Sequence, residues 1–248
     1  MLHFLPLVLA GLLAGTMNAV AGGGSFVSFP VMVLMGLPPI AANASSTVAL
    51  FPGTLASTWA YRDGLRGIAG TSLRVLLPIS VAGGLIGAIL LLVTPGGVFD
   101  AVIPWLLLLA TLTFAGGRQL GDWLRRYIRI GRSAFLVIQF ILSVYGGYFG
   151  GAIGLMMMAV WVLITSAELK TMAATRTLLV SAANGSAVLC FAVAGAVRWP
   201  EMLAMMISAI AGGYYGARFA RHLPPSVLRW FVVALSATVT VAFFLRTY

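Results

Sequence analysis

Apolar residues run almost without interruption along the chain, in stretches separated by short polar or glycine- and proline-rich turns. Most of these stretches approach the roughly 20 residues that a membrane-spanning helix requires. Two of them are shorter, and each of the two directly follows a glycine run. The pattern predicts ten helical segments at residues 5–20, 26–35, 40–60, 75–93, 98–115, 134–145, 155–165, 172–194, 202–217 and 228–245.

Both glycine runs lie where a spanning helix would otherwise be continuous. The first is Gly22-Gly23-Gly24-Ser25, and the second extends from Gly146 to Gly154. Irregular backbone at membrane depth is tolerated only where protein buries it or where it lines a cavity. We therefore expect these two breaks to mark a site.

The second half of the chain repeats the order of features of the first half. The glycine cluster at 83–87 corresponds to that at 212–216, Gly64 to Gly195, and the small polar patch at 43–47 to residues 175–177. The sequence thus predicts an all-α membrane protein of two inverted-topology repeats with about five helical segments each, residues 1–117 and 133–248. A basic cytoplasmic linker at 118–132 joins them. The glycine-broken helices are expected to meet near the membrane midplane.

Composition and charge support a membrane location. The chain is 61% hydrophobic and only 8% charged, whereas soluble domains carry roughly a quarter charged residues. The net charge of +10 comes from Arg and Lys residues in short loops between apolar stretches. Such cations typically mark cytoplasmic loops beside anionic lipid headgroups, so nucleic-acid binding is not expected. Their distribution places the loop at 62–74 and the linker inside, and both termini and the turn at 94–97 outside.

The residues around the first break carry a family resemblance. Gly15, Asn18, Gly22-Gly23-Gly24-Ser25 and Pro30, followed by the patch at 43–47 and a looser second copy, resemble the sulfite exporter TauE/SafE family over essentially the whole chain. In the second copy Trp161 stands near the position of the family's proline. The resemblance implies a multi-pass secondary transporter in the bacterial cytoplasmic (inner) membrane. Its substrates would be small sulfur-containing anions, such as sulfite, thiosulfate or sulfonates like sulfoacetate, or related organic anions.

A helix that restarts after glycines presents backbone N–H groups at the positive end of its dipole, which suits an oxyanion. Arg176 is a second strong candidate, because a cation in a spanning segment is costly and its planar guanidinium matches a sulfonate or carboxylate. The expected substrate ligands are Asn18, Gly22, Gly23, Gly24, Ser25, Asn43, Ser45, Ser46, Thr47, Thr175, Arg176, Thr177 and Asn184.

Structural explanations exist for the same residues. Glycines permit close helix packing, hydroxyl groups can bond to their own backbone, and Arg176 could extend to the cytoplasmic interface. The glycine-rich face at 81–87 is compatible with internal packing or with a dimer interface.

The function classes that compete with a transporter differ in what they require. An anion channel on the same scaffold would use a similar lining. An enzyme is not expected, because no His or acid lies deep in a predicted segment. We expect no cofactor and no metal site, with Met156-Met157-Met158 serving as apolar packing. The expected partners are a small anionic substrate and the lipid bilayer; a homodimer and proton coupling are left open.

Overall fold

The computed structural model describes residues 4–20, 23–124, 131–151, 153–165, 167–220 and 225–248. Within these ranges the chain is all-α, as predicted, and five of its helices are long and apolar enough to cross a membrane. The described helices are α1 Leu5–Val20, α2 Ser25–Leu34, α3 Pro39–Ala60, α4 Leu73–Val93, α5 Gly96–Leu124, α6 Arg132–Phe149, α7 Ile153–Ile164, α8 Leu169–Val193, α9 Trp199–Ala220 and α10 Pro225–Thr247.

The second helix break is shorter than the glycine run suggested. Helix α6 continues through Gly146 and Gly147 and ends only at Phe149, before Gly150 in the left-handed conformation with φ of 72°. The two helical glycines are contact points, since a side chain on Gly146 would meet Ile153 and one on Gly147 would meet the backbone of Gly84. Helix α5 likewise extends to Leu124, so the first part of the predicted linker is helical.

Helices α1 and α2 form a hairpin that turns back inside the fold. Helix α1 runs parallel to α9, because Gly11 lies against Met205 while Thr16, further along α1, donates to the Gly212 carbonyl at 2.9 Å. Helix α2 then returns to the side on which α1 and α3 begin. Its ten residues measure about 15 Å, half of a bilayer's hydrocarbon core. Helix α2 is therefore too short to cross a bilayer by itself.

Helices α6 and α7 form a second hairpin of the same kind. Helix α6 runs parallel to α4, and α7 folds back along α6, where Ile153 packs on Gly146. Further along, the Trp161 indole N–H donates to the Gln139 side-chain oxygen at 3.3 Å. Trp161 is fully buried. Each break thus forms the tip of a hairpin.

Helix packing in the two halves matches pair by pair. Helix α1 packs on α9 as α6 packs on α4, α3 packs on α9 as α8 packs on α4, and α2 packs on α10 as α7 packs on α5. Exchanging the two halves leaves this set of pairs unchanged. Two inverted repeats would give this pattern, and the insertion of each half into a membrane stays a prediction.

The glycine-rich face of α4 is used for internal packing. A side chain on Gly83 would meet Ser143 of α6, one on Gly84 would meet the backbone of Ala183 in α8, and one on Gly87 would meet α6 again. The opposite face of α4 is exposed and apolar, as at Leu85 and Ile86. Exposed apolar side chains of this kind suit contact with lipid.

Candidate functional site

The two helix breaks border one internal cavity of about 260 Å³. It lies between the end of α1, the start of α2, the middle and end of α3, the α6–α7 break and the first half of α8. Its lining residues are Asn18, Ala19, Ser25, Thr47, Leu50, Thr54, Ser57, Tyr61, Gly150, Ile153, Gly154, Ala173, Arg176, Thr177, Val180 and Asn184.

Two helix N-termini reach this cavity. Helix α2 begins at Ser25 and α7 begins at Ile153, and both residues belong to the lining. In α2, the N–H groups of Phe26 and Val27 donate to the carbonyls of Gly23 and Gly24 at 3.1 and 3.0 Å. Ser25 is the residue of this first turn that borders the cavity. The positive ends of two helix dipoles therefore converge on one space.

Arg176 adds a full positive charge to the same wall. It lies seven residues after the start of α8, about 10 Å along the helix, and is half-buried. It is the charged member of the described lining. Within the described part of the chain the one ion pair joins Arg62 to Asp63 at 3.9 Å, so no described carboxylate neutralises Arg176. The cavity is cationic.

Amide and hydroxyl groups complete the polar lining. The Asn18 amide lies beside Gly53 of α3, with its nitrogen 3.8 Å from where a Cβ atom of residue 53 would stand. Thr47 and Thr177 donate to the carbonyls of Asn43 and Ala174 at 2.9 and 2.8 Å, which is the backbone bonding foreseen as an alternative to ligand binding. The buried side-chain oxygen of Asn184 has no hydrogen-bond partner within the described residues.

Four of the predicted ligands make structural hydrogen bonds outside the cavity lining. Asn43 donates to the Tyr148 carbonyl at 2.9 Å, and Ser46 pairs with Ser28 at 2.6 Å. These contacts join α3 to α6 and α2.

The other two connect helices to loops. Ser45 accepts from the Arg198 N–H at 2.8 Å, and Thr175 donates to the Arg66 carbonyl at 2.7 Å.

The glycines of the first break differ in what the structure describes. Gly23 and Gly24 are buried beside the cavity without lining it, and a side chain on Gly24 would meet Ala14 of α1. Gly22 lies outside the described residues. Gly24 therefore permits the close return of α2 along α1, and a role for these glycines as substrate ligands stays a prediction.

The structure adds lining residues that the sequence interpretation missed, namely Thr54, Ser57 and Tyr61 of α3. A helical pattern could have found them. Starting from Thr47, the lining positions 50, 54, 57 and 61 recur at intervals of three or four residues, which marks one face of a helix. The α8 positions 173, 176, 177, 180 and 184 follow the same rule.

The two ends of the cavity differ in exposure in the described structure. Tyr61, at the end of α3, is 46% exposed and precedes Arg62 in the loop predicted to be cytoplasmic. Near the other end, Asn43 and Ser46 are bonded as described above and Phe29 packs edge-on against Phe149 with ring centroids 5.7 Å apart. The lining is therefore exposed at Tyr61, on the predicted cytoplasmic side, whereas Asn43 and Ser46 near the other end are buried.

The fold and the cavity define a multi-pass membrane protein with an internal polar site between two helical hairpins. The sequence profile of one family, described as Sulfite exporter TauE/SafE, matches residues 7–243. The chain belongs to this family. The family and its relatives indicate a membrane transporter, not an enzyme.

Curated relatives support this assignment over nearly the whole chain. A "Probable membrane transporter protein ORF9" from Sinorhizobium sp is 27% identical over 95% of this chain and 90% of the relative. A "Probable membrane transporter protein" from Haemophilus influenzae is 26% identical over 93% and 90% of the two chains. The "Probable membrane transporter protein YfcA" from Escherichia coli K12 is 24% identical over 94% and 87%. No solved structure matches.

Proposed function

We propose that the protein is a secondary transporter that moves small sulfur-containing anions across a bacterial cytoplasmic membrane by alternating access. Candidate substrates are sulfite, thiosulfate, sulfonates such as sulfoacetate, and related organic anions. The observation that carries the proposal is the position of Arg176, which shares one cavity with the starts of α2 and α7.

Electrostatics favours an anion at this position. An isolated cation in a spanning segment is costly, and two helix dipoles directed at the same space add to the cost. The described lining contains no carboxylate. A bound anion would offset all three positive features at once, and an oxyanion can accept charge-assisted hydrogen bonds from the guanidinium fork and from Ser25.

Cavity size favours a small substrate. The volume of about 260 Å³ lies below the roughly 300–1,000 Å³ typical of pockets for drug-sized ligands. Sulfur as the central atom is supported by the family description, which names sulfite. The three oxygens of a sulfonate or sulfite can accept simultaneously from Arg176, the Asn18 amide and the start of α2.

The closed outer end favours a transporter over a channel. In the proposed cycle an anion enters or leaves past Tyr61, and passage to the other side separates Asn43 from Tyr148 and Ser46 from Ser28, which are hydrogen-bonded in this structure. Passage therefore needs a change of conformation in each transport cycle.

Flux measurements in proteoliposomes test this function. We expect uptake of labelled sulfoacetate or thiosulfate to saturate with concentration, to show counterflow against the unlabelled anion, and to be lost in Arg176→Met. The matched control is Arg74→Gln, which removes an exposed cation on the same predicted side without touching the cavity. Non-saturating conductance would support the channel instead, and equal flux in Arg176→Met would exclude this site.

A further inference from the structure

Helices α3 and α8 correspond position by position. Leu169, the first residue of α8, follows Pro39, the first residue of α3, by 130 positions. The residues before them, Pro38 and Glu168, have nearly identical backbone angles (φ −54°, ψ 137° and φ −58°, ψ 139°). The match continues into each helix, where Ser45 and Thr175 are separated by the same interval.

Hydrogen bonds support the same register independently. Ser45 accepts from the backbone N–H of Arg198, in the loop after α8, at 2.8 Å. Thr175 accepts from the backbone N–H of Arg66, in the loop after α3, at 3.4 Å. Each helix thus holds the loop that follows the other, through equivalent hydroxyl groups.

The deep part of the cavity is shared equally between the two helices. Three pairs at this interval both belong to the lining: Thr47 with Thr177, Leu50 with Val180, and Thr54 with Asn184. A ligand at this depth would contact equivalent positions of the two halves.

Next to the mouth, only one member of each equivalent pair of residues lines the cavity. This part is lined by Ala173, Arg176, Ser57 and Tyr61, which are half-buried or exposed. Their equivalents in the other helix are Asn43, Ser46, Ala187 and Phe191. These four side chains are buried, with exposed fractions of 2%, 2%, 0% and 0%.

We propose that Asn43, Ser46, Ala187 and Phe191 line a second half of the substrate path, which faces the opposite side and is closed in this structure. This inference rests on the proposed function, since alternating access requires such a half. When it opens, the half lined by Ala173, Arg176, Ser57 and Tyr61 closes, and the shared pairs stay in contact with the anion.

The two halves of the path differ in chemistry. Ser46 stands where the mouth-side half has Arg176, so the closed half offers hydroxyl and amide groups and no cation among these four positions. The contacts that close it are the Asn43–Tyr148 and Ser28–Ser46 hydrogen bonds and the apolar packing of Phe191. Two hydrogen bonds and the packing of one ring are few contacts for a closed half, so a minor open population is energetically accessible.

Site-directed cysteine labelling tests the proposal. In a Cys190→Ala background, Ala187→Cys and Ser46→Cys probe the closed half, and Ser57→Cys probes the open half. Ala44→Cys is the matched control, because Ala44 and its equivalent Ala174 are both fully buried and neither lines the cavity. A membrane-impermeant maleimide is applied to one side of the membrane at a time, using intact cells and inverted vesicles, with no anion added.

We expect Ser57→Cys to react from one side, and Ala187→Cys and Ser46→Cys to react from the opposite side roughly tenfold faster than Ala44→Cys, through the minor open population. If both react no faster than Ala44→Cys, or react from the same side as Ser57→Cys, the second half-path does not exist. Ser57→Cys is also combined with each variant, and its reaction from the expected side shows that the fold of that variant is intact.

The result of the labelling experiment can be distinguished from the result of the test of the proposed function. Labelling needs no substrate, so a second half-path could be found even if Arg176 bound no sulfur anion. Conversely, anion binding that depends on Arg176 together with unreactive Ala187→Cys and Ser46→Cys would leave the site standing and overturn this path.

Discussion

The side chain of Arg176 in α8 lies directly against Gly154, in the first turn of α7. Because Gly154 has no side chain, the aliphatic part of Arg176 can pass close to this turn. A Cβ atom on Gly154 would be 3.4 Å from Cδ and 3.5 Å from Nε of Arg176. This contact brings a charged side chain and a helix N-terminus to the same wall of the cavity, and it connects the second glycine break to anion binding.

Gly154→Ala should weaken anion binding without unfolding the protein. The added methyl group would stand in van der Waals contact with Cδ and Nε of Arg176, which restricts the movement by which the guanidinium adjusts its hydrogen bonds to a bound anion. We expect the affinity to fall about three- to tenfold, equivalent to roughly 0.7–1.4 kcal/mol, in isothermal titration calorimetry. Gly116→Ala, where a Cβ atom would meet nothing within 4 Å, is the control and should bind normally.

Asn18→Ala and Asn43→Ala should separate binding from stability. Asn18 lines the cavity, so its loss should lower anion affinity roughly tenfold, the effect of a charge-assisted hydrogen bond, with little change in melting temperature. Asn43 bonds to the Tyr148 carbonyl instead, so its loss should lower the free energy of unfolding by roughly 1–2 kcal/mol and leave affinity nearly unchanged. The opposite assignment of effects would show that the cavity is misplaced.

Gly84→Val should strongly destabilise the fold. A side chain at this position would meet the Ala183 backbone of α8, and the Gly84 carbonyl is itself packed against Gly147 of α6. Since helix backbones cannot move apart cheaply, we expect a loss of about 2–3 kcal/mol or more, measured by thermal unfolding in detergent. Gly116→Val is the matched control and should leave stability nearly unchanged, because a Cβ atom there meets nothing within 4 Å and valine is no poorer a helix former than the glycine it replaces. Equal melting temperatures for the two variants would contradict the packing described for α4.

The fold was largely predictable because hydrophobic length and glycine breaks are written directly in the sequence. Helix α1 has the predicted bounds and most others differ by a few residues. The error at Gly146 and Gly147 has a physical cause, since glycine in a membrane helix serves close packing as readily as it serves a break. Sequence alone does not show which neighbour such a glycine will meet.

The site was predictable in part. Of the residues predicted to bind substrate, Asn18, Ser25, Thr47, Arg176, Thr177 and Asn184 line one cavity, and Asn43, Ser45, Ser46 and Thr175 do not; substrate binding by any of them stays a prediction. All ten are polar residues near the two breaks, so residue type could not separate them. The difference arises from the helix face that each residue occupies, since Asn43 and Ser46 face Tyr148 and Ser28.

The central claim is that Arg176 holds a sulfur oxyanion, and ligand-induced thermal stabilisation tests it most directly. The purified protein, Arg176→Met and the Arg74→Gln control are each melted with sulfite, thiosulfate, sulfoacetate, isethionate, taurine, acetate or malonate. At about 100 times the Kd, a bound ligand stabilises the folded state by about 2.7 kcal/mol. We predict that at least one sulfur oxyanion raises the melting temperature of the wild type and of Arg74→Gln, and that Arg176→Met shows no such rise. Equal stabilisation of Arg176→Met, or stabilisation by none of these anions, would contradict the account.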